Sequence, residues 1–248
     1  MNRTWLVGAS EGIGRSLAIG LASKGYKLAL SARQTDRLSN LASQLGPEHL
    51  AVPADVRDQT TLQQAWQKII DEWSGVDVII YNAGYYRPAA ADNFNLEDAE
   101  AMIDVNLTGA LRVLSLAIPA MIKQKRGKIV LIGSIAGYRG LPSAIGYGAS
   151  KAGIIHLAEN LRCDLSPYGI HIQLINPGFV KTRLTDLNTF SMPFLMSPED
   201  AAESIMRSME KNKFESRFPW LFANAVKLMR YLPSSIYFAL IKRQKKLP

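Results

Sequence analysis

The chain has 248 residues, of which 48% are apolar, and its 29 Lys and Arg residues against 21 Asp and Glu give a formal net charge of +8. This length and composition are typical of one globular domain with a substantial core. The positive charge suits nucleic acid, an anionic cofactor or an anionic membrane surface. Because the sequence has no stacked-aromatic or groove-reading motif, we expect no nucleic-acid partner.

The cellular location is predicted from three further features. An apolar strand pattern begins within a few residues of Met1 and leaves no room for a signal peptide. We find no apolar run of the roughly 18–20 residues that a membrane span requires. The single cysteine, Cys163, cannot form an internal disulfide and is expected to pack inside an apolar-periodic helix. We therefore expect a cytoplasmic protein.

A glycine-rich turn follows the first predicted strand, residues 4–7, and precedes a helical pattern. Its spacing is Gly-x-x-x-Gly-x-Gly, whereas the commoner dinucleotide fingerprint is Gly-x-Gly-x-x-Gly. Gly8 allows a tight exit from the strand, Gly12 lets the backbone approach a pyrophosphate, and Gly14 lets helix and strand pack closely. Three glycines alone are a weak signal, but a strand, turn and helix in this order predict a dinucleotide site.

The second predicted strand, residues 26–31, ends close to Arg33. An acidic residue at this place would accept hydrogen bonds from the ribose diol of NAD, whereas a guanidinium suits the 2′-phosphate of NADP. The alternative is a solvated arginine at a strand end. Ser10 and Arg37 could support a phosphate site. The sequence therefore favours NADP over NAD.

A possible catalytic group follows a buried strand pattern at residues 128–132. Ser134 comes just after it, and Tyr147 and Lys151 are four residues apart, so they share one face of a helix. A phenol has a pKa near 10, and a neighbouring ammonium group lowers that value. Tyr147 would then exchange a proton with a carbonyl or alcohol oxygen that Ser134 holds.

With this set downstream of the glycine turn, the chain resembles the short-chain dehydrogenase/reductase family from about Thr4 to Thr182. The resemblance implies an α/β fold, a single-domain doubly wound (Rossmann) seven-stranded mostly parallel sheet with helices on both faces. It also implies that Asn106 locally disrupts its helix and holds a water linked to Lys151. Glu11 counts mildly against NADP, because many NADP-using relatives have a basic residue there.

The resemblance further implies which residues contact the dinucleotide. Asp55 would receive the adenine amino group, the residues at 82–84 would let the nicotinamide ribose approach the sheet, and the backbone of Val180 would meet the carboxamide. The expected set is Gly8, Ser10, Gly12, Ile13, Gly14, Arg33, Asp55, Val56, Asn82, Ala83, Gly84, Tyr147, Lys151, Pro177, Gly178, Val180 and Thr182. No metal site is expected, because the three histidines lack metal-ligand spacing.

Residues 183–197 correspond to the variable substrate loop of the family and are dense in apolar side chains. With Tyr138, Leu141 and Phe179 expected at the same mouth, they favour an apolar substrate. Tyr85 and Tyr86 follow the fourth predicted strand and could either line the substrate cleft or cover the sheet edge.

Residues 1–218 are therefore assigned to a dinucleotide-binding catalytic domain and residues 219–248 to an amphipathic, basic C-terminal extension. Two short helices separated by Pro233 are expected there. They could seal the substrate loop, enter an anionic bilayer surface, or pack on the body or a partner subunit, and we favour the packing. Relatives that assemble as tetramers end on an Asp-Gly-Gly tail that this chain lacks, so we expect a homodimer.

The function predicted from the sequence is hydride transfer between NADP(H) and the carbonyl or alcohol carbon of a small, apolar substrate. Two alternatives are a non-catalytic dinucleotide sensor and a lipid-modifying reductase at the membrane periphery. A sensor would not need Asn106, Ser134, Tyr147 and Lys151 together, which argues against it.

Overall fold

Seven strands form one parallel sheet. The structure is a computed structural model that describes residues 2–188, 190–211 and 213–244. The strands are β1 Arg3–Val7, β2 Lys27–Ser31, β3 Leu50–Ala51, β4 Val78–Tyr81, β5 Gly127–Ile132, β6 Ile170–Pro177 and β7 Glu215–Phe218. Their order is β3-β2-β1-β4-β5-β6-β7, and all six neighbouring pairs of these strands are parallel. The predicted doubly wound fold is confirmed.

Helices cover both faces of this sheet. They are α1 Gly12–Ser23, α2 Thr35–Leu45, α3 Gln59–Trp73, α4 Leu96–Ile103, α5 Gly109–Gln124, α6 Ile145–Leu165, α7 Pro198–Met209, α8 Trp220–Leu228 and α9 Ser234–Gln244. Alternate residues of each strand enter opposite cores: Ile129 of β5 packs with α3, α5, α6 and α8, whereas Val130 packs with α1, α2 and α7. Burial on both faces explains why the strands are continuous apolar runs.

The strand order reverses between β1 and β4, which places a crevice at the carboxyl ends of these two central strands. Open parallel sheets bind ligands at such a switch point. Chain segments that leave β1, β4, β5 and β6 at this edge include Gly8, Asn82, Ser134 and Gly178. The fold therefore gathers the predicted site residues from distant parts of the sequence.

A π-helical turn, Asp104–Thr108, joins α4 to α5 and contains Asn106. The predicted local disruption of the helix is confirmed. Among the described residues, the stretch Leu96–Gln124 is long and apolar enough by length and composition to cross a membrane. The expectation that no stretch meets this criterion was therefore wrong, because α4, the π turn and α5 are continuous. One side of α5 packs in the core through Val113 and Ala117, among others.

The C-terminal extension packs on the body of the domain, as favoured from the sequence. Ala223, Val226 and Tyr237 are buried there. Arg139 Nη1 donates to the carbonyl oxygens of Met229 and Leu232 at 2.5 and 2.8 Å. The same guanidinium lies 3.9 Å from the centroid of the Tyr237 ring, and Tyr237 Oη donates to the carbonyl of Gly140. Lys245 and Lys246, which belong to the predicted basic extension, lie outside the described residues.

Three details differ from the sequence-based expectations. The apolar pattern at residues 50–56 predicts a longer third strand, but β3 is only Leu50–Ala51, although the amides of Val52 and Ala54 still donate to the carbonyls of Leu30 and Ala32. Cys163 lies on α6 but is exposed, since it falls on the outer face of that helix. Tyr138 is buried and donates to Glu215 instead of facing the mouth of the site.

We predict that Arg139→Met destabilises the protein by about 2–4 kcal/mol, because it removes hydrogen bonds to buried carbonyls and a cation–π contact. The melting temperature should fall by several degrees, measured by thermal unfolding followed by circular dichroism. Arg126→Met is the control, since Arg126 is exposed and makes one long ion pair, 3.7 Å from Asp77. Equal melting temperatures for the two variants would contradict this role of Arg139.

Candidate active site

Ser134, Tyr147 and Lys151 meet at the carboxyl end of β5. Ser134 is 8% exposed, and its Oγ accepts a hydrogen bond from the amide of Ala136 at 3.1 Å. Lys151 is 4% exposed, and its Nζ donates to the carbonyl of Ile132 at 2.8 Å. This nitrogen lies 5.8 Å from the centroid of the Tyr147 ring. Four-residue spacing on α6 thus produces the predicted pairing of phenol and ammonium.

The pKa values of this pair follow from burial. Burial raises the pKa of Tyr147, and a hydrogen bond with Ser134 opposes that rise. Burial lowers the pKa of Lys151 to about 8. Desolvation of the phenol therefore outweighs the hydrogen bond with Ser134, and a lowering effect of Lys151 on the pKa of Tyr147 stays a prediction. At neutral pH the phenol keeps its proton and the amine is mostly charged.

Asn106 is fully buried and all of its side-chain polar atoms are hydrogen-bonded. Its Oδ1 accepts from the amide of Tyr85 at 2.7 Å, and its Nδ2 donates to the carbonyl of Tyr85 at 3.0 Å and to Ser150 Oγ at 2.8 Å. Ser150 Oγ in turn donates to the carbonyl of Tyr147 at 2.8 Å. Both amide hydrogens of Asn106 are thus used, and in this structure it ties the loop after β4 to α6.

Two residues of the site were not singled out from the sequence for the roles they have here. Ser150 connects Asn106 to the helix that carries Tyr147, and its place beside Lys151 was the available signal. The ring of Tyr86 packs edge-on against Tyr147 with centroids 4.9 Å apart, and its hydroxyl donates to Asn188 of the substrate loop. Burial raises the pKa of Tyr86 to about 12. Tyr86 therefore lines the cleft, whereas Tyr85 donates to Asp98 on α4.

The glycine turn after β1 is packed too closely for side chains. Gly8 has a φ of +90°, and a Cβ there would lie 2.5 Å from the amide nitrogen of Ala83. A Cβ on Gly14 would lie 1.8 Å from the carbonyl oxygen of Gly8. Asn82 Nδ2 donates to that same carbonyl at 2.8 Å. The segment after β4 therefore braces the glycine turn. Because the turn has no side chains at its glycines, its backbone atoms can approach a ligand.

Residues after β6 close the other side of the crevice. Gly178 donates to the carbonyl of Phe218 at 2.7 Å, and Val180 pairs with Met196 across the neck of the substrate loop. The Thr182 side chain would lie 3.1 Å from a Cβ on Gly12, so it stands over the glycine turn. Pro177 ends β6, and Ile13 packs against the core below the turn. The structure thus brings Pro177, Gly178, Val180 and Thr182 to the side of the crevice opposite the segment after β4.

The residues expected at the adenine end also lie together. Arg33 is exposed just beyond β2. Burial would raise the pKa of Asp55, but the hydrogen bonds and charge of Arg57 lower it, and the charge of Arg33 adds a smaller effect. Arg57, which the sequence reasoning missed, holds Asp55 in an ion pair at 2.8 Å. Val56 is buried in the core. Gly84 follows β4, where a Cβ would be 3.7 Å from Asn106 Oδ1.

A cavity of about 390 Å³ opens beside the glycine turn. Glu11 forms ion pairs across its rim with Arg37 at 3.1 Å and with Arg183 of the substrate loop at 2.8 Å. Arg15 and Asn40 also line the cavity, and neither was identified from the sequence. The full lining is Ser10, Glu11, Gly12, Arg15, Arg37, Asn40, Leu41 and Gln44. Serine, arginine and open backbone amides suit the anionic part of a dinucleotide.

Aromatic residues of the substrate loop cover the crevice. Phe179 packs against Phe190 and Phe222, and Phe194 packs against Phe222, each pair with centroids 5.9 Å apart. The loop after β6 and the first turn of α8 are therefore joined by one aromatic cluster. Among the described residues, no group of three or more His, Cys, Asp and Glu side chains could hold a metal ion.

Comparisons with known proteins agree with this geometry. A family model described as short chain dehydrogenase matches residues 3–190. A Myxococcus xanthus protein named an uncharacterized oxidoreductase is 36% identical over 245 residues, which is 97% of both chains. A Mycobacterium tuberculosis protein, also named an uncharacterized oxidoreductase, is 31% identical over 235 residues, or 92% of both.

A solved structure extends the comparison to the fold. The crystal structure of a short-chain dehydrogenase from Streptomyces avermitilis superposes with a TM-score of 0.83, covering 99% of this chain and 97% of that one at 22% identity. Such a family uses a nicotinamide dinucleotide, and the braced glycine turn described above fits one. The sequence matches and the sheet topology together show that this chain is an oxidoreductase of the short-chain dehydrogenase family.

Proposed function

We propose that the protein reduces a carbonyl group of an apolar substrate with NADPH. The observation that carries this proposal is the meeting of Ser134, Tyr147 and Lys151 at the sheet edge next to the glycine turn. A non-catalytic sensor needs the turn but has no use for a buried phenol and ammonium pair.

Each residue of the catalytic group has a role in the proposed reduction. The nicotinamide, when bound, would supply the hydride to the carbonyl carbon. Ser134 would donate a hydrogen bond to the carbonyl oxygen and Tyr147 would give that oxygen its proton, so the product is an alcohol. Because burial raises the pKa of Tyr147, the phenol at neutral pH is in the acid form that this step needs. Lys151 would bind the ribose hydroxyls and stabilise the phenolate that forms.

Cofactor and substrate are proposed from the charges and the apolar cover. Arg33 is the exposed cation at the end of β2, where a 2′-phosphate would lie, and Arg15 and Arg37 line the neighbouring cavity. The cluster of phenylalanines over the crevice suits an apolar substrate. The homodimer and the cytoplasmic location stay predictions from the sequence.

We expect Tyr147→Phe to lower kcat for reduction of soluble aldehydes and ketones by about 10²–10⁴-fold, because the proton donor is lost. Dinucleotide affinity, measured by calorimetry, should change little. Tyr168→Phe is the matched control, since it removes an exposed phenol hydroxyl outside the site and should leave kcat unchanged. Unchanged NADPH consumption in Tyr147→Phe would refute the proposed role, and tight binding without turnover in the wild type would support a sensor.

Lys151 gives the stability of the protein a specific pH dependence. With a folded-state pKa of about 8 against 10.5 unfolded, the folded form releases the proton first, so raising the pH from 8 to 10.5 favours folding. The gain should be on the order of 3 kcal/mol in wild type relative to Lys151→Met, measured by urea unfolding across that range. Lys68→Met is the control, because Lys68 is exposed and also donates to a backbone carbonyl. A constant difference between wild type and Lys151→Met would contradict the prediction.

Arg33→Asp should raise the Kd for NADPH by about 10²-fold or more and leave the Kd for NADH within a few fold, because a phosphate contact is lost and a repulsion added. Arg207→Asp is the control, since Arg207 is an exposed arginine on α7. Fluorescence titration with both dinucleotides provides the measurement. Equal changes for NADPH and NADH would show that Arg33 does not select the cofactor.

A further inference from the structure

The C-terminal extension exposes apolar side chains that its packing on the body leaves uncovered. Of the 17 large apolar side chains exposed among the described residues, seven lie in residues 219–244. We call them the docking face: Trp220, Leu221, Leu228, Tyr231, Ile236, Phe238 and Leu240. Trp220 is 74% exposed and Tyr231 is 73% exposed. Apolar exposure concentrated in so short a segment indicates an interaction surface.

The charge of the same segment restricts what the surface can bind. Residues 216–248 contain no Asp or Glu and seven cations, namely Arg217, Lys227, Arg230, Lys242, Arg243, Lys245 and Lys246. Arg217 and Lys227 pair with Glu215, but Arg230 and Lys242 are exposed beside the docking face. Two copies of this face would bring like charges together, whereas an anionic surface would be attracted.

The docking face adjoins the mouth of the candidate active site. Phe222, next to Leu221 on α8, contacts Phe194 of the substrate loop. That loop exposes further apolar side chains, among them Phe190 and Leu195. Arg139 and Tyr237 hydrogen-bond the extension to the segment between Ser134 and Tyr147, so the helices that carry the face are joined to the catalytic segment.

From these observations we propose that the docking face binds the surface of an anionic lipid bilayer, so that the substrate loop opens toward the membrane. Tryptophan and tyrosine favour the boundary between headgroups and acyl chains, leucine, isoleucine and phenylalanine enter it, and the cations contact lipid phosphates. The substrate would then be a membrane-dissolved aldehyde or ketone. This last step rests on the proposed reductase function, whereas bilayer binding does not.

The test is co-sedimentation of the full-length protein with phosphatidylcholine vesicles, with and without phosphatidylglycerol. Wild type should bind the anionic vesicles and lose affinity as salt is raised. Trp220→Ser combined with Leu221→Ser should lower the partition coefficient by about tenfold or more. Neutralising Arg230 or Lys242 with glutamine should lower it by about fivefold for each cation.

Control variants distinguish binding through the docking face from nonspecific apolar binding and from catalytic activity. Ile19→Ser and Tyr168→Ser remove exposed apolar side chains elsewhere and should leave vesicle binding unchanged. Tyr147→Phe should bind vesicles as wild type does while losing turnover, so failure of the reductase proposal leaves the docking result readable. The Trp220 and Leu221 variant should still reduce a soluble carbonyl substrate.

Three outcomes would overturn the proposal. The first is no binding of wild type to either kind of vesicle. The second is equal binding of wild type and the Trp220→Ser, Leu221→Ser variant. The third is a change from dimer to monomer in that variant with no loss of vesicle binding, measured by light scattering, because the face would then be a contact between copies of the chain.

Discussion

The buried ammonium of Lys151 is the constraint on which the site depends. A charged amine with 4% exposure is costly to keep away from water, and its hydrogen bond to the carbonyl of Ile132 offsets that cost only in part. The carbonyl belongs to the last residue of β5, so the position of the amine is tied to the sheet. The phenol of Tyr147 is held beside it because both residues lie on one face of α6. The arrangement of Tyr147 and Lys151 therefore includes a buried charge that lowers the stability of the folded protein, and the packing of the surrounding core must offset that loss.

The rest of the site is positioned by segments that leave neighbouring strands at one edge. Asn82 braces the glycine turn through the carbonyl of Gly8, and Asn106 ties the following loop to α6 through Tyr85 and Ser150. The bonds to Gly8 and Tyr85 join side-chain amides to backbone and fix loops that have no ladder of their own, and the bond from Asn106 to the Ser150 hydroxyl adds a link between side chains. The turn, the loop and the catalytic helix consequently keep one relative geometry.

The C-terminal extension contacts the segment between Ser134 and Tyr147 directly. Arg139 lies in the segment between the catalytic serine and tyrosine, and it caps the carbonyls where α8 ends. Glu215 on β7 accepts hydrogen bonds from Tyr138 and from Lys227 of α8, so the same segment is connected to the extension a second time.

The sequence by itself determined the parallel sheet, the glycine turn and the pairing of Tyr147 with Lys151, because strand burial, glycine spacing and helical periodicity are local properties of the chain. The tertiary structure alone decided that burial raises the pKa of Tyr147, that Tyr86 covers it, that Tyr138 turns inward to Glu215 and that Cys163 faces outward. Each of these depends on which distant residue is the neighbour, and no pattern along the chain encodes that neighbour.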